Sequence, residues 1–519
     1  MIVKKIISAN VMRESDKAFI LSGISGIELV RRAATAILSS FDFSNYSDIA
    51  IFCGVGNNGA DGMALALLLR SANIPCRVIN IGEPRSDEAK YYLSECLGQN
   101  ITCTPFHDGA ADGASLIVDC IFGTGFHGFA SGDPEVAIHM INAAKERGAK
   151  VISIDIPSGL SGNSGLGDPF VRADITLSIG TMKYGHVFGH GKDAVGELAH
   201  LDIGIPIVGE YGILCDACDF TSVIRKRESY CHKGTFGYIT LLGGCTNYSG
   251  AVKLAENASA SLRSGCGVCR VAIARSTVLL IAPRLLDATL TTISDESGDM
   301  IFDSAGIDRA MQGISALGVG MGWGGGPHCG EILSYIIKNC KVPLLIDADG
   351  LNALSRIGVE LLREAHCPIV LTPHPKEFER LSGVSVADTL SDPVGVAKSF
   401  AEKYDNVTLL LKGSSTVITD GKECCIIDRG CAGMAVGGSG DVLSGIITSL
   451  LGYSTASIVK TVACGAWIAG RAGEIAQSKT NPVSMIASDT VGAIPNAVSE
   501  IYAYHKQQKY KNPQKEKRK

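Results

Sequence analysis

The sequence predicts an α/β protein with two domains, each built around a mostly parallel sheet. Three observations support this prediction. The chain has 519 residues, more than one domain usually contains, and 46% of them are apolar. Short apolar runs typical of buried strands also alternate with helical patterns, in two separate series. Because a crossover between parallel strands usually carries a helix, this alternation favours parallel sheets covered on both faces.

The two series account for most of the chain. The strand-like runs of the first are DIAIFCG, CRVIN, SLIVDCIFG, KVISIDIPSG and DITLSIG, and its candidate helices include ADGMALALLLRSAN and EVAIHMINAAKERGA. The second series contains GYITLLGG, ISALGVGMG, VPLLIDADG, CPIVLTPHP and NVTLLLKGSSTVITD, followed by a helical region. The regular pattern is interrupted between 205 and 233. We expect a first domain at 1–210, a second at 225–505 and a disordered basic tail at 506–519.

Composition excludes several classes of function. The formal net charge is −5, so no basic excess indicates a nucleic-acid partner. No apolar run is long enough to span a bilayer, and the first residues do not resemble a signal peptide. The 18 cysteines are scattered through apolar stretches, which is typical of a reducing compartment. We therefore expect a cytoplasmic protein without a membrane partner.

Two groups of potential metal ligands are weak candidates. The CxxC pairs Cys215/Cys218 and Cys266/Cys269 are separated by about 47 residues, more than a compact zinc ribbon uses. His186 and His190 stand among glycines, where the helical geometry that would bring them together is not expected. A surface loop is favoured over a metal site at these histidines.

A glycine-rich turn follows the first strand of the first series. In CGVGNNGADG, Gly54, Gly56 and Gly59 match the pattern GxGxxG, which brings a pyrophosphate to a helix N-terminus. That match alone is weak. Asn57, Asn58 and Asp61 add amide and carboxyl groups that a plain dinucleotide turn does not require. These groups favour a polar ligand or a cation.

Polar side chains also end two later strands of this series. Asp119 ends the buried strand within SLIVDCIFG, and Asp155 and Ser158 end the strand within KVISIDIPSG. The carboxyl ends of parallel strands converge on one crevice, so Asn58, Asp119 and Ser158 could supply oxygens to one hard monovalent ion, with Asp155 facing the ligand. Helix capping is the alternative role for each of these side chains.

The most informative segment of the second series is GMAVGGSGDVLSGI. Its glycines at 437, 438 and 440 allow backbone N–H groups to approach a phosphate at the start of a predicted helix. Asp441 follows directly and can accept a proton from a substrate hydroxyl. The pattern indicates phosphoryl-transfer chemistry; a glycine turn capped by an aspartate is the alternative.

Other candidates in the second series lie at strand ends. Tyr248, Ser249 and Gly250 open an apolar helix, where a ligand floor is predicted near Ala251. His374 lies between two prolines just after a strand, and Lys412 lies where a strand meets a turn rich in hydroxyl residues. A lysine in such a turn suits nucleotide phosphates, although a surface histidine and a solvated lysine remain the alternatives.

The first half resembles the N-terminal domain of the bacterial NAD(P)H-hydrate repair enzymes. The similarity lies in MRESDKAFILSGISGIELV, GVGNNGADG, VDCIFGTGF, IDIPSG and TMKYGHVFG, although Arg31 stands where an acidic residue is usual. It implies a Rossmann-like, doubly wound sheet that epimerises hydrated NADH or NADPH at carbon 6 of the nicotinamide ring. The implied potassium ligands are Asn58, Asp119 and Ser158. The implied substrate contacts are Asn57, Asn58, Gly59, Ala60, Asp61, Gly123, Thr124, Gly125, Phe126, His127, Gly128, Phe129 and Asp155.

The second half resembles the ribokinase-like dehydratase domain of the same family, from about 230 to 503. The similarity implies contacts to the hydrated nucleotide at Ala251, Gly322, His374 and Asp441. The implied ADP or AMP contacts are Lys412, Gly413, Ser414, Ser415, Thr416 and Gly440. Cys431 and Val436 depart from the usual polar residue and threonine near the glycine turn. The resemblance also implies magnesium and a homo-oligomer, a tetramer assembled through this domain.

The expected function is therefore repair of NADHX and NADPHX, the hydrates of NADH and NADPH. The first domain would interconvert R and S epimers with Asp155 assisting proton movement, and the second would dehydrate the S epimer with ADP through Asp441. Three alternatives remain. A dehydrogenase would pair the first turn with an acidic ribose partner such as Glu83; the second domain could be a small-molecule kinase; or the first could bind without catalysis.

Overall fold

The computed structural model describes residues 4–260 and 263–511. The chain divides into two compact units, Met1–Gly212 and Ile213–Lys519. Each unit contains a sheet of mainly parallel strands with helices between them, so the predicted α/β fold class is confirmed. Among the helices of the described ranges, none combines the length and apolar character that crossing a bilayer requires.

The first unit alternates strands and helices. Its strands are β1 (Lys5–Ile7), β2 (Ile49–Cys53), β3 (Cys76–Asn80), β4 (Thr102–Pro105), β5 (Leu116–Cys120), β6 (Lys150–Ile154), β7 (Ile175–Ile179), β8 (Met182–Lys183) and β9 (Glu197–Leu201). Its helices are α1 (Ala9–Leu21), α2 (Gly26–Ser40), α3 (Asn57–Ser71), α4 (Asp87–Gly98), α5 (Asp133–Glu146) and α6 (Gly191–Ala194). All five strand-like runs of the first series form strands.

The main sheet of this unit has the order β4-β3-β2-β5-β6-β7-β9, with every neighbouring pair parallel. The chain moves outward in one direction from β2 and in the other from β5, which places a topological switch point between these two strands. Ligands of open parallel sheets bind beyond the carboxyl ends of the strands at such a point. The short strands β1 and β8 pair with each other in parallel.

Apolar side chains cover both faces of this sheet. On one face, Ile51 and Val118 pack in a buried cluster with Met63 of α3. On the other face, Phe52 and Ile117 pack in a cluster with Ile138 of α5. Burying a side chain of this size contributes about 1.5–3 kcal/mol, which explains why these strands read as continuous apolar runs rather than alternating patterns.

The second unit also alternates strands and helices, around a sheet with more strands. Its strands are β10 (Gly212–Leu214), β11 (Tyr238–Leu242), β12 (Val268–Ala274), β13 (Ala288–Ile293), β14 (Asp295–Glu296), β15 (Asp299–Met300), β16 (Ala316–Val319), β17 (Leu344–Ile346), β18 (Ile369–Leu371), β19 (Val407–Leu411), β20 (Thr416–Thr419) and β21 (Cys424–Ile427). Its helices are α7 (Ser249–Ala255), α8 (Val278–Ile281), α9 (Ser304–Met311), α10 (Cys329–Asn339), α11 (Asp349–Ile357), α12 (Pro375–Ser382), α13 (Val386–Ser391), α14 (Pro393–Ala401), α15 (Ser439–Leu451), α16 (Ile458–Lys479) and α17 (Ala487–Lys511). The prediction of a disordered tail from 506 is wrong at its start, because α17 continues to Lys511. The rest of the predicted tail, from residue 512 onward, lies outside the described residues.

In the second sheet, the strands from β13 through β12, β11, β16, β17 and β18 to β19 are parallel, and β19, β20 and β21 then form an antiparallel meander. The run NVTLLLKGSSTVITD is thus a hairpin whose turn begins at Lys412. Helices α15 and α16 pack in the main core, where Trp467 and Ile446 are buried. The glycine turn therefore leads directly into a buried helix.

Candidate functional sites

A cavity of about 690 Å³ in the first unit is lined by the turns that follow β2, β5 and β6. The predicted residues that line it are Asn57, Asn58, Asp61, Gly123, Thr124, Gly125, Phe126, His127 and Asp155. Four other predicted contacts, Gly59, Ala60, Gly128 and Phe129, do not line this cavity in the described structure. Ala60 is buried inside the unit, and the side chain of Phe129 is 77% exposed.

Two glycines bring α3 close to the end of the sheet. A Cβ atom on Gly54 would collide with the carbonyl of Ile121, and one on Gly59 would collide with the carbonyl of Gly54. A larger residue at either position would push α3 away from the strand ends. The predicted glycine turn therefore sets the floor of the cavity through close backbone packing.

The three predicted cation ligands lie in one hydrogen-bonded group. Ser158 donates through Oγ to Oδ1 of Asp119 at 2.5 Å, and its own Oγ accepts a bond from the backbone N–H of Phe122 at 2.8 Å. Asn58 donates through Nδ2 to the carbonyl of Phe122 at 2.9 Å. Burial raises the pKa of Asp119, although bonds from Ser158 and Ser153 oppose that shift. Phe122 thus connects the residues from three separate turns.

One atom of this group lacks a partner. Oδ1 of Asn58 is buried and accepts no hydrogen bond from the described residues. An unsatisfied buried carbonyl oxygen costs about 1–3 kcal/mol. Oxygen donors alone suit a hard cation such as potassium, so the residues present fit the ion. Within the described residues, no group of three or more His, Cys, Asp or Glu side chains is arranged to hold a metal.

Asp155 adopts a left-handed backbone conformation with φ of 69° and is held from several sides. The buried ammonium group of Lys183 forms a close ion pair with it and donates to the carbonyl of Ile179 at 2.6 Å. Thr124 donates its backbone N–H to Oδ2 of Asp155 at 3.3 Å. The Asp155 carboxylate is therefore fixed at the cavity wall by a residue that the sequence interpretation did not assign.

The prediction of a surface loop at His186 is wrong. His186 is buried, and its Nε2 lies 2.7 Å from the backbone carbonyl of Asp155. Its Nδ1 accepts the backbone N–H of Lys183 at 3.0 Å, so the ring bridges the backbones of the two ion-pair partners. Burial lowers the pKa of His186 to about 4, which keeps the ring neutral at pH 7.

In the second unit, Asp441 lies in the first turn of α15, as the glycine turn predicts. Gly438 caps this helix with a positive φ of 97°, where a side chain would be strained. Burial raises the pKa of Asp441 to about 7, and the nearby carboxylate of Asp347 adds to the shift. A half-buried carboxyl group with this pKa can exchange a proton near neutral pH.

Lys412 and Gly440 lie beside Asp441, around Asp347. Nζ of Lys412 is 3.1 Å from Oδ1 of Asp347, and Ser444 donates to Oδ2 of Asp347 at 2.6 Å. A Cβ on Gly440 would lie 3.6 Å from Nζ of Lys412. Burial alone would lower the pKa of Lys412, but Asp347 and Glu377 raise it overall. The lysine is therefore a positioned cation rather than a solvated side chain.

His374 is connected to this group through Glu377. His374 caps α12: its Nδ1 accepts the backbone N–H of Lys376 at 3.1 Å, and Glu377 accepts the N–H of His374 at 2.9 Å. Oε2 of Glu377 also lies 3.7 Å from Nζ of Lys412. Burial lowers the pKa of His374. The ring is thus oriented by its own helix and remains about half exposed.

Ala251 and Gly322 lie next to each other, although they are far apart in sequence. A Cβ on Gly322, whose φ is 61°, would come within 2.7 Å of Cβ of Ala251. The predicted nucleotide segment 412–416 forms the turn between β19 and β20 and the first residue of β20, with Ser415 buried and Gly413 and Ser414 exposed. The structure therefore groups the predicted residues in local sets, one around Asp347 and one beside Tyr248.

Comparison with protein families agrees with the division of the chain into two units. Residues 25–185 match the family described as YjeF-related protein N-terminus, and residues 239–496 match the family described as NAD(P)H-hydrate dehydratase. A ribokinase-like superfamily protein of Enterococcus faecalis has a TM-score of 0.49 and 23% identity, over 56% of this chain and 95% of that chain.

Curated relatives match almost the whole chain. The bifunctional NAD(P)H-hydrate repair enzyme of Moorella thermoacetica is 33% identical over 504 residues, which cover 92% of this chain and 93% of the relative. The enzyme of the same name from Escherichia coli is 29% identical over 94% of this chain and 93% of the relative. The chain therefore belongs to the family of bifunctional NAD(P)H-hydrate repair enzymes.

Proposed function

We propose that the first unit interconverts the R and S hydrates of NADH and NADPH, and that the second unit dehydrates the S hydrate with ADP. The products of the second reaction are NADH or NADPH, AMP and phosphate. Hydration of the nicotinamide ring removes a double bond that hydride transfer needs. Removal of the water restores that double bond, so the cell regains a usable coenzyme. Family membership supports the pair of activities, and the two sites support the roles of individual residues.

The dehydratase assignment rests mainly on the surroundings of Asp441. In our proposal, the carboxylate of Asp441 takes the proton of the 6-hydroxyl group while that oxygen attacks the terminal phosphoryl group of ADP. AMP leaves, and the oxygen at carbon 6 carries the phosphoryl group. Loss of phosphate from carbon 6, with a proton from carbon 5, then restores the ring double bond.

Other groups of this site hold the reactants. Backbone N–H groups of the turn before α15 and the ammonium group of Lys412 face the negative charge of the phosphates. Asp347 accepts a hydrogen bond from that lysine, and Ser444 in turn donates to Asp347. Magnesium would rely on phosphate oxygens and water for most of its ligands.

A mixture of R and S hydrates tests the two activities together. With excess ADP, we expect complete conversion of the mixture to NADH, followed by absorbance at 340 nm as the ring double bond returns. A plateau at the S fraction would show that the first unit does not epimerise. Absence of any ADP-dependent conversion would overturn the dehydratase assignment, whereas phosphorylation of an alcohol by ATP would favour a kinase.

The epimerase site should depend on potassium. Asn58, Asp119 and Ser158 would hold the ion, which orders the turns around the cavity. We expect replacement of potassium by lithium to slow epimerisation several-fold and to lower the melting temperature of the first unit, because the smaller ion fits these oxygens poorly. Chromatography of the hydrates measures the rate of epimerisation, and calorimetry measures the melting temperature.

The matched control for the ion is Asn58→Leu, which removes the unpartnered oxygen. This variant should respond equally to potassium and lithium in both measurements. If the unsubstituted protein is indifferent to the ion, or if Asn58→Leu retains the preference for potassium, the cation site is wrongly assigned.

A further inference from the structure

Three carboxyl groups line the cavity of the first unit, and they differ in their partners. Asp155 is paired with Lys183 and accepts backbone hydrogen bonds. Asp16 and Asp61 also line the cavity. Among the described residues, no hydrogen bond or ion pair holds either carboxyl group, and Lys183 acts on both through its charge. Two carboxyl groups are therefore available to a ligand, and Asp16 comes from a part of the chain to which no role has been assigned.

Asp16 faces the cavity because of its place on α1. Met12, Asp16 and Ile20 follow one another at intervals of four residues, and all three line the cavity. The neighbouring Ser15 is buried and anchors the helix: it donates to the carbonyl of Val11 at 2.7 Å and accepts the N–H of Val208 at 2.9 Å. The backbone beside Asp16 is thus held in place.

The electrostatic setting of Asp16 suits proton exchange. Burial raises its pKa to about 6, with Lys183 opposing the shift and Asp155 adding to it. The titratable groups that line the cavity with it are Asp61, His127, Asp155 and Lys183. Burial also raises the pKa of Asp61, to which the charges of Asp155 and Asp16 contribute. A carboxyl group that gives up its proton here becomes an anion, which favours a reaction in which positive charge develops in the ligand.

Epimerisation of the hydrate offers such a reaction. Carbon 6 carries both the hydroxyl group and the ring nitrogen, so the configuration can change only if a bond to this carbon breaks and re-forms. Loss of the hydroxyl group as water needs a proton donor. The lone pair of the ring nitrogen can then form a double bond to carbon 6, which leaves a cation on the ring.

We propose that Asp16 is a catalytic residue of the epimerisation, whose carboxyl group donates a proton to the 6-hydroxyl group as the bond between carbon 6 and oxygen breaks. Water then adds to the opposite face of carbon 6 and gives a proton to the carboxylate of Asp155. Exchange with solvent returns Asp16 to its acid form and Asp155 to its carboxylate form. No other reactant is consumed, and the opposite epimer is the only product. This inference rests on the proposed epimerase function of the first unit.

Asp16→Asn in the full-length chain tests the inference, because Asn keeps the size of the side chain but donates no acidic proton. We expect interconversion of purified hydrates to fall at least about tenfold. The acid form of Asp16 is present below its pKa, so the unsubstituted protein should lose epimerase activity as pH rises through about 6. The activity of the variant should not show this fall near pH 6. Glu14→Gln, on the exposed side of α1, is the matched control.

Two further measurements separate the outcomes. In water enriched in oxygen-18, we expect the enzyme to incorporate the label into the hydrates faster than the uncatalysed reaction does; no enzyme-dependent incorporation would overturn loss of the hydroxyl group. An unchanged rate in Asp16→Asn would overturn the role of Asp16. A slower rate that still falls as pH rises through about 6 would overturn it as well. If the unsubstituted chain dehydrates the S hydrate but interconverts nothing, the proposed function of the first unit fails, and this inference fails with it.

Discussion

Replacing Asp441 by Asn is expected to lower ADP-dependent dehydration of the S hydrate by about 100-fold or more. The amide keeps the size of the carboxyl group and its place in the first turn of α15, but it cannot accept the hydroxyl proton. The loss should appear in kcat, with a smaller change in KM, because proton removal belongs to the transition state. Steady-state assays with purified S hydrate measure both constants.

The pH dependence gives a second measure of the same role. A base acts in its ionised form, and burial raises the pKa of Asp441 to about 7. Dehydratase activity should therefore be about half of its maximum near pH 7, rise above that pH and fall below it. Epimerase activity of the same Asp441→Asn chain is the internal control and should stay unchanged. Near-normal dehydration by this variant would show that the proton goes elsewhere.

Much of the fold is readable from sequence because both sheets are buried on both faces. The run at Leu116–Cys120 is apolar apart from Asp119, and all five residues are buried. The segment 406–420 shows the limit of such patterns: apolar residues continue on both sides of the turn at 412–415, so the change from parallel to antiparallel pairing has no signal in hydrophobicity. The strands β1 and β8 are too short to show a period.

The site residues could be predicted from the sequence where a reactive or polar side chain lies in a glycine turn or at the end of a strand. Asp441 and the turns after β2, β5 and β6 satisfy this condition. Lys183 and Asp16 do not. From the sequence alone, Lys183 is expected to be exposed, because it lies in a strand of only two residues. Only the fold shows that Asp155 lies against it. Asp16 reads as part of the polar face of α1, since nothing local indicates that this face lines a cavity.

Lys183→Met should strongly destabilise the first unit and abolish epimerisation. The substitution removes the cation but leaves Asp155 at the cavity wall, where the carboxylate loses its close partner. Breaking a buried ion pair from one side costs about 3–5 kcal/mol, which for a unit of about 200 residues corresponds to a melting temperature lower by roughly 6–20 °C. Differential scanning calorimetry of the full-length chain measures the shift.

Two matched variants decide whether the ion pair causes this loss. Lys90→Met removes an exposed lysine that lies 3.6 Å from Asp87 and should cost less than about 1 kcal/mol. The double variant Lys183→Met/Asp155→Asn removes both charges, so it should recover much of the stability while remaining inactive as an epimerase. Equal stability of Lys183→Met and Lys90→Met, or no recovery in the double variant, would contradict this account. The expected recovery of stability without epimerase activity would show that the ion pair stabilises the fold and that the Asp155 carboxylate is needed for the reaction.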